Sequence, residues 1–501
     1  MSELMNNVKD EKLFGHLFNP QFHHASKLFN KLAHKMDISY PKQASLNPID
    51  AADESNQNIM HDLRYSMRCA FLAYPPLMTA FKSQTMSLTF KTTKQALKTC
   101  LNISDNDIII DNCSLWNKTH QPSFYLITDH NRKKIVLSIR GTTSIPDIMT
   151  DLNANPKSII QSDNKYPFKN VQIEGGGFVH EGMLQSAEWI RDKVESKLIE
   201  LCNKYKQYQI IITGHSMGAA VASLLGLMYK DDPIIHKQNR LKVFAFAPPC
   251  IVSKEYNDNS IGCNDYITSV ILGLDIVTRL SLESVKRWNL RQQLIMNYNQ
   301  DAIRRCLLES ESEVKETEMN LDESSNGEFL RVLKELKSSK DEQELYALGR
   351  ILWFVPNIVM NDDINFRKRA LMNLDNFQHE IDEKKGSSSF VLADLWNSVG
   401  VRMDSNSSMS NVWREFYHDI SRSYHDIKTD IRHKLDSTKR NKKYDGNNYT
   451  LIDATNIRSI FQDLIIDIEC ISVHEPQVYL WACNAKLREE EDPLCHEQDC
   501  F

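Results

Sequence analysis

The feature that most constrains the fold of this chain is a serine placed between two glycines, where an apolar strand pattern gives way to a helix pattern. In "QIIITGHSMGAAVASLLGLMY" (residues 209–229), Ser216 comes two residues after Gly214 and two residues before Gly218. A sharp strand-to-helix turn holds such a hydroxyl out from the end of a sheet, at the cost of a strained backbone. Because the chain passes very close to itself at this turn, the flanking positions tolerate little beyond glycine. The segment therefore predicts a nucleophilic Ser216 in an elbow formed by Gly214, His215 and Gly218.

Strand patterns alternate with helix patterns around this segment. "SFYLITD" and "KKIVLSIRGT" predict two strands joined by a hairpin-like "HNR", and "KVFAFAPP" and "YITSVILGLD" predict buried strands. "EWIRDKVESKLIELCNKY" predicts an amphipathic helix before the serine segment. Together they predict an α/β fold, with a mostly parallel central sheet covered by helices on both faces.

The order of these patterns predicts six regions in the 501 residues. They are an N-terminal helical region (1–90), an α/β core with nucleophile and acid (91–290), an acidic insertion expected to be disordered (291–344), a returning core strand (345–356), a helical insertion (357–455), and a C-terminal core segment with the histidine and a polar tail (456–501). The acidic insertion is predicted because residues 309–328 carry eight acidic residues and one lysine, which cannot form a core.

Bulk composition excludes several classes of protein. The net charge of -6 gives no indication of a nucleic-acid partner, and the odd number of 11 cysteines favours reduced thiols. Cys495, His496 and Cys500 are too few ligands for a metal site, so no metal is predicted. The N-terminus shows no apolar segment typical of a secretory signal, and no apolar run approaches the ~20 residues of a spanning helix. The expected location is the cytoplasm or the cytoplasmic face of a membrane, without a transmembrane helix.

A serine nucleophile needs a base, and the base needs an orienting acid. In a sheet with this turn, the acid and the histidine follow the serine in chain order. Asp275 stands at the end of "YITSVILGLD", whereas Asp265 precedes that strand and would lie at the wrong edge. His474 lies in "LIIDIECISVHEPQVYL", in a loop after the predicted last strand, and His496 belongs to a polar tail. Position thus predicts Ser216 as the nucleophile and Asp275 as the acid, and it leaves His474 as either the base or a structural loop histidine.

Five ordered blocks of the sequence resemble the class 3 lipases, and among them the sn-1-specific diacylglycerol lipases. The blocks are "IVLSIRGTTSIPDIMTDL", "GGFVHEGMLQSA", "ITGHSMGAA", "FAPP" and "LGLDIVTRLS". The resemblance covers residues 123–284 and resumes at "LGRILWF" and "DIECISVHEPQVYL". It implies an α/β-hydrolase fold and cleavage of ester bonds in glycerolipids.

The resemblance places the nucleophile at Ser216, the acid at Asp275 and the base at His474. The histidine falls in a His-x-Pro-x-x-Tyr pattern, which Pro476 and Tyr479 complete.

The resemblance also implies an oxyanion hole. One donor falls on Thr142, which follows the Arg140-Gly141 turn, and the other is the backbone amide of Met217. One departure lies beside the base, since related diacylglycerol lipases tend to have an aspartate where this chain has Val473. No metal or organic cofactor is required for this chemistry.

The expected reaction is hydrolysis of diacylglycerol to monoacylglycerol and free fatty acid through an acyl-enzyme. The expected partner is an acylglycerol or phospholipid at a membrane or lipid-droplet surface, with the protein bound peripherally. Alternatives on the same site are a phospholipase A1, a triacylglycerol lipase, or an inactive lipase fold that serves as a lipid-binding scaffold. Residues 144–160 are a candidate lid, by resemblance to fungal lipases.

Overall fold

The computed structural model describes the central part of the chain and several separate segments. The described residues are 26, 29–30, 32–33, 48–49, 53–76, 92–114, 119–142, 156–159, 168, 171, 173, 176–258, 261–297, 344–356, 449–465, 470, 473–474 and 476–484. All of them fall in one compact unit, which draws on residues 1–360 and 449–501.

An eight-stranded sheet forms the centre of this unit. In spatial order its strands are β1 (Ile108–Asn112), β2 (Phe124–Asp129), β3 (Lys134–Ile139), β6 (Gln209–His215), β7 (Leu241–Phe246), β8 (Ile267–Leu272), β9 (Arg350–Pro356) and β10 (Tyr449–Asp453). Strands β3, β6, β7, β8 and β9 are parallel, whereas β1, β2 and β10 pair antiparallel at the two edges. A separate pair joins β4 (Pro156–Ile159) to β5 (Gly177–His180). The predicted hairpin and the predicted mostly parallel sheet are both confirmed.

Six α-helices accompany the sheet among the described residues. They are α1 (Glu54–Leu72), α2 (Thr93–Leu101), α3 (Glu181–Lys204), α4 (Met217–Met228), α5 (Leu282–Asn297) and α6 (Pro476–Asn484). None of the helices in the described part of the chain is long and apolar enough to cross a bilayer.

Helices α1 and α4 cover opposite faces of the sheet. Successive side chains of a strand point to opposite faces of the sheet. Two adjacent residues of β7 therefore show which helix covers each face. Phe244 packs in the apolar cluster that contains α1, whereas the next side chain along, Val243, lies against Gly226 of α4. The prediction of helices on both faces is therefore confirmed.

The predicted boundary between an N-terminal helical region and the core is wrong. Helix α1 buries Met60, Leu63 and Met67 in the same apolar cluster as the strands. Its backbone carbonyl at Cys69 also accepts hydrogen bonds from Tyr125 of β2 (2.7 Å) and Ser138 of β3 (3.0 Å). Residues 54–72 are thus a layer of the core, because the apolar stripe of this helix needs the sheet to bury it.

The predicted start of the acidic insertion at residue 291 is also wrong. Helix α5 continues to Asn297, and Arg287 and Arg291 are buried on it. Both arginines pair with Asp463, at 3.1 and 2.7 Å, and Arg287 also pairs with Glu344 at 2.7 Å. A polar helix is stable in the interior here because its charges meet partners from distant parts of the chain.

The last strand does not directly precede His474 in the described structure. Leu464 and Ile465 are not in a strand, and the last described strand is β10, at Tyr449–Asp453. This strand lies inside the region predicted as a helical insertion (357–455), and it pairs antiparallel with β9. Its mixed composition, with only two buried residues that stand next to each other, fits an edge position that a search for fully apolar runs overlooks.

Several predicted segments lie outside the described residues. They are residues 144–155 and 160 of the candidate lid, the acidic stretch 309–328, the insertion at 357–448, and the tail with Cys495, His496 and Cys500.

The tight entry into β9 gives a test of the packing between β8 and β9. Gly349 has a φ of +84°, and a Cβ there would overlap the Ile267 carbonyl oxygen. Gly262 has a similar φ of +71°, but the nearest atom to a Cβ there, Asp265 Oδ2, is 3.6 Å away. We expect Gly349→Ala to lower the free energy of unfolding by about 3 kcal/mol, and Gly262→Ala by about 1 kcal/mol.

Urea denaturation of the two variants and the wild type measures this difference. Equal losses would show that the positive φ, and not the close approach of β8, determines the need for glycine at position 349.

Candidate active site

Ser216 stands at the turn between β6 and α4 in a strained conformation. Its φ is 61° and its ψ is -127°, a region that costs a non-glycine residue roughly 1–3 kcal/mol. The surrounding chain holds it there, since the Ser216 amide donates to the Phe246 carbonyl at 2.8 Å and the Ser216 carbonyl accepts from Ala219 at 2.9 Å. The turn ends the strand and begins the helix at the serine, as the sequence predicts.

The two glycines of the turn are explained by close approach of the backbone. A Cβ on Gly214 would overlap the Gly218 carbonyl, and a Cβ on Gly218 would overlap the Ile139 carbonyl of β3. Both positions therefore lie where the first turn of α4 presses against the ends of two neighbouring strands. Any larger side chain would move Ser216 away from its place.

Ser216, His474 and Asp275 form one hydrogen-bonded chain. Ser216 Oγ lies 2.9 Å from His474 Nε2, and His474 Nδ1 lies 3.0 Å from each carboxylate oxygen of Asp275. Because a carboxylate only accepts, Nδ1 carries the proton and donates it, which leaves Nε2 free to accept from the serine hydroxyl. All three side chains are buried. The structure thus brings together the three residues that the sequence predicts as a triad.

Further donors fix the Asp275 carboxylate. The Val277 amide donates to Oδ1 at 2.9 Å, and the Tyr479 hydroxyl donates to Oδ2 at 2.7 Å. That hydroxyl in turn accepts from the Leu272 amide at 3.0 Å. Burial raises the pKa of Tyr479 well above its usual value, and the negative charge of Asp275 adds to the rise. Tyr479 therefore keeps its proton and remains a donor.

Hydrogen bonds from β9 and from Cys470 hold the loop that carries Asp275. Gly273 donates to the Phe354 carbonyl at 2.8 Å, and Trp353 Nε1 donates to the Gly273 carbonyl at 2.7 Å. The Ile276 amide donates to the Cys470 carbonyl at 3.0 Å, four residues before His474. The acid loop and the chain that leads to the base are thus joined by their own backbones.

The turn that leads to Thr142 and the first residue of α4, Met217, both adjoin Ser216. A Cβ on Gly141 would lie 3.0 Å from Ser216 Cβ, so the residue before Thr142 touches the serine. Thr142 Oγ1 is buried and has no hydrogen-bond partner among the residues that the structure describes. Met217 begins α4, and the first amides of a helix have no carbonyl partner within it. A hydroxyl and a helix-terminal amide near the serine are donors of the kind that suits an oxyanion.

Two tyrosines of the site have contacts that the sequence does not predict. Tyr479 is visible as the last position of the His-x-Pro-x-x-Tyr pattern, but its bond to Asp275 needs the structure. Tyr74 gives no sequence signal, although its hydroxyl lies 3.0 Å from His215 Nδ1. The His215 ring lies 4.8 Å from the His474 ring, so the elbow histidine also packs on the candidate base.

This arrangement has the geometry required for nucleophilic acyl transfer. The hydroxyl and the imidazole are within the ~2.6–3.2 Å that proton transfer needs, and a third group orients the imidazole. The helix dipole of α4 adds positive potential at its N-terminus, where Ser216 stands.

Comparison with known proteins finds a family model that matches part of the chain. Residues 136–285 match the family described as Lipase (class 3), a span that contains Ser216, Asp275, Thr142 and Met217 but not His474.

Two curated relatives are diacylglycerol lipases. Diacylglycerol lipase-alpha of Rattus norvegicus is 30% identical over 202 residues, which are 39% of this chain and 17% of that protein. Diacylglycerol lipase-beta of Mus musculus is 31% identical over 193 residues, which are 37% of this chain and 26% of that protein. The chain therefore spans about a quarter or less of the length of these relatives.

A lipase of Rhizopus niveus is 29% identical over 148 residues, which are 29% of this chain and 34% of that protein. A solved lipase structure from Rhizopus microsporus var. chinensis has 19% identity and a TM-score of 0.33, over 46% of this chain and 74% of the other. The fold assignment accordingly rests on the sheet of this chain itself.

We expect a fluorophosphonate to label Ser216, because only a hydrogen-bonded serine with a nearby base reacts readily with such a reagent. Ser216→Ala should abolish labelling, and Asp275→Asn should slow it about 10⁴-fold through the wrong imidazole tautomer. Ser223→Ala is the matched control, since Ser223 is buried on the same helix and bonds only the Ala219 carbonyl at 2.9 Å.

Mass spectrometry of the labelled peptide, with labelling rates from gel fluorescence, measures these effects. Labelling that persists in Ser216→Ala would show that the reactive residue is not Ser216.

Proposed function

We propose that this chain is a serine hydrolase that cleaves the carboxylic ester bonds of acylglycerols, because residues 136–285 match the family described as Lipase (class 3). The observation that carries the proposal is the chain of hydrogen bonds from Ser216 through His474 to Asp275. Its members come from the ends of two parallel strands and from the segment before α6. Nothing in the packing of the described core requires a histidine and an aspartate to meet there.

In the first step, the Ser216 hydroxyl attacks the ester carbonyl carbon while His474 Nε2 takes its proton. The imidazolium that forms is stabilised by Asp275, which also keeps Nδ1 protonated and the ring in place. The carbonyl oxygen gains negative charge and accepts from Thr142 Oγ1 and the Met217 amide. His474 then returns the proton to the leaving glyceride oxygen, and an acyl-serine remains.

In the second step, water replaces the alcohol. Water attacks the acyl-serine while His474 takes a proton from it. The same two donors stabilise the negative charge on the oxygen again. Collapse of the intermediate releases the fatty acid and returns the proton to Ser216 Oγ. The same base thus acts in both halves of the reaction.

We propose diacylglycerol as the preferred substrate, with monoacylglycerol and a fatty acid as products. The support is the similarity to two diacylglycerol lipases, at 30% and 31% identity. Acylglycerols with long chains partition out of water, so the reaction takes place at a lipid surface. Phospholipase A1 and triacylglycerol lipase activities use the same chemistry, and substrate comparison separates them.

The test is a panel of purified lipids presented to the full chain in mixed micelles of one detergent. The panel contains diacylglycerol, triacylglycerol, phosphatidylcholine and a short-chain soluble ester, with different acyl groups at sn-1 and sn-2. We expect fatty acid release to be fastest from diacylglycerol, absent in Ser216→Ala, and unchanged in Ser223→Ala.

Mass spectrometry of the released fatty acids identifies both the substrate and the position. Faster release from phosphatidylcholine or triacylglycerol would overturn the substrate proposal. Binding to lipid without hydrolysis of any member would favour an inactive lipid-binding fold.

The oxyanion role of Thr142 gives a separate prediction. Thr142→Val keeps the shape of the side chain and removes the hydroxyl, so we expect kcat to fall about 10²–10³-fold with KM little changed. Thr142→Ser retains the hydroxyl and should keep most of the activity. Steady-state kinetics on the soluble ester measure both, and equal activity of the valine and serine variants would assign the oxyanion to other donors.

A further inference from the structure

Tyr74 is a buried residue from the N-terminal part of the chain that contacts the candidate active site. It lies two residues after the end of α1, outside the segment that matches the lipase family, and it is 7% exposed. Its hydroxyl lies 3.0 Å from Nδ1 of His215, the residue before the serine. An N-terminal segment thus contacts the elbow through one polar group.

The same hydroxyl also lies against the turn that carries Thr142. A Cβ added to Gly141 would be 2.5 Å from Tyr74 Oη, and it would overlap the His215 carbonyl oxygen as well. Because glycine has no Cβ, position 141 leaves room for the Tyr74 hydroxyl. One hydroxyl touches both Gly141 and His215.

This contact lies just beyond the point where the two strands stop pairing. The register between β3 and β6 ends at Ile139 and Gly214. Past that pair, the chain of β3 continues to Gly141, next to Thr142, and the chain of β6 continues to His215, two residues before Met217. Gly141 therefore lies beyond the described pairing of β3, whereas His215 is still held by its pairing with Phe246 of β7. The distance between the two oxyanion donors thus depends on what holds the Gly141 turn against His215.

We propose that Tyr74 is a positioning residue that sets the distance between the two oxyanion donors, Thr142 and the Met217 amide. The inference rests on the proposed function, because it concerns the transition state of ester cleavage. Oxyanion donors act only at about 2.7–3.1 Å from the charged oxygen, and a displacement of about 0.5 Å weakens such a site. Tyr74 contacts the residue beside one donor and the elbow residue that precedes the other.

The direct test removes the hydroxyl alone, with Tyr74→Phe. The matched control is Tyr125→Phe, since Tyr125 is also buried and its hydroxyl donates to the Cys69 carbonyl at 2.7 Å, away from the elbow. We expect kcat on a soluble ester to fall about 10-fold in Tyr74→Phe with KM within about twofold, a fraction of the loss from deleting a whole donor. Tyr125→Phe should keep the kcat of the wild type. Rates are expressed per active site, titrated with a fluorophosphonate.

A double-mutant cycle with Thr142→Val separates positioning from general stability. If Tyr74 acts through the oxyanion turn, its removal costs less once the Thr142 hydroxyl is already gone, so the two losses do not multiply. Losses that multiply, or a Tyr74→Phe variant that matches Tyr125→Phe, would overturn the inference. An effect transmitted only through the His215 and His474 rings would also give losses that multiply.

Two non-standard residues keep the test decisive where Tyr74→Phe folds poorly. At position 74, 4-aminophenylalanine keeps a hydrogen-bonding group, whereas 4-methylphenylalanine fills the same volume without one. We expect the first to keep kcat near the wild type and the second to lose about 10-fold. Equal kcat for both would overturn the inference.

The proposed function and this inference fail in different ways. If the wild type hydrolyses no ester, the proposed function fails. Fluorophosphonate labelling rates still compare the variants, since attack of Ser216 on phosphorus, with loss of fluoride, develops charge on the phosphonyl oxygen in the same hole. If the wild type hydrolyses esters and the variants do not differ, only the inference fails.

Discussion

The hydrogen bonds between His474 and Asp275 join side chains that are 199 residues apart in the sequence, and the rest of the candidate site depends on them. The entropic cost of loop closure rises only slowly with loop length, so the fold tolerates a long stretch of chain between the acid and the base. The contact is nevertheless specific, because β9 fixes the loop of Asp275 and the Ile276 amide joins that loop to Cys470. The acid loop thus lies between the returning strand and the chain that leads to the base.

An ionic cluster of two buried arginines and two partly exposed carboxylates supports the same region. Asp463, eleven residues before His474, forms ion pairs with both Arg287 and Arg291 of α5, and Arg287 also pairs with Glu344 just before β9. Loss of one partner from a buried set of charges leaves another charge without compensation, which is strongly destabilising. The position of the base therefore depends on a helix whose polar sequence gives no hint of burial.

Strain at Ser216 is sustained because several independent contacts oppose its relaxation. The β6 strand precedes it, α4 follows it, the Phe246 carbonyl holds its amide, and the close-packed glycines leave no room for another path. Such overdetermined strain is typical of functional sites, where it fixes a reactive group before the substrate arrives. Two buried tyrosines add to these contacts: Tyr74 bonds His215 of the elbow, and Tyr479 bonds Asp275.

The sequence by itself determined the features that depend on local pattern. The elbow at Ser216, the hairpin of β2 and β3, and the strand that ends before Asp275 all follow from residue size and hydrophobic period over a few positions. Strand β10, the buried course of α5 and the contact of Tyr74 with His215 did not follow, because each depends on a partner far away in the sequence. Only the tertiary structure decided these, since a half-polar strand, an arginine-rich helix and a lone tyrosine become stable in place only when distant groups supply their hydrogen bonds and charges.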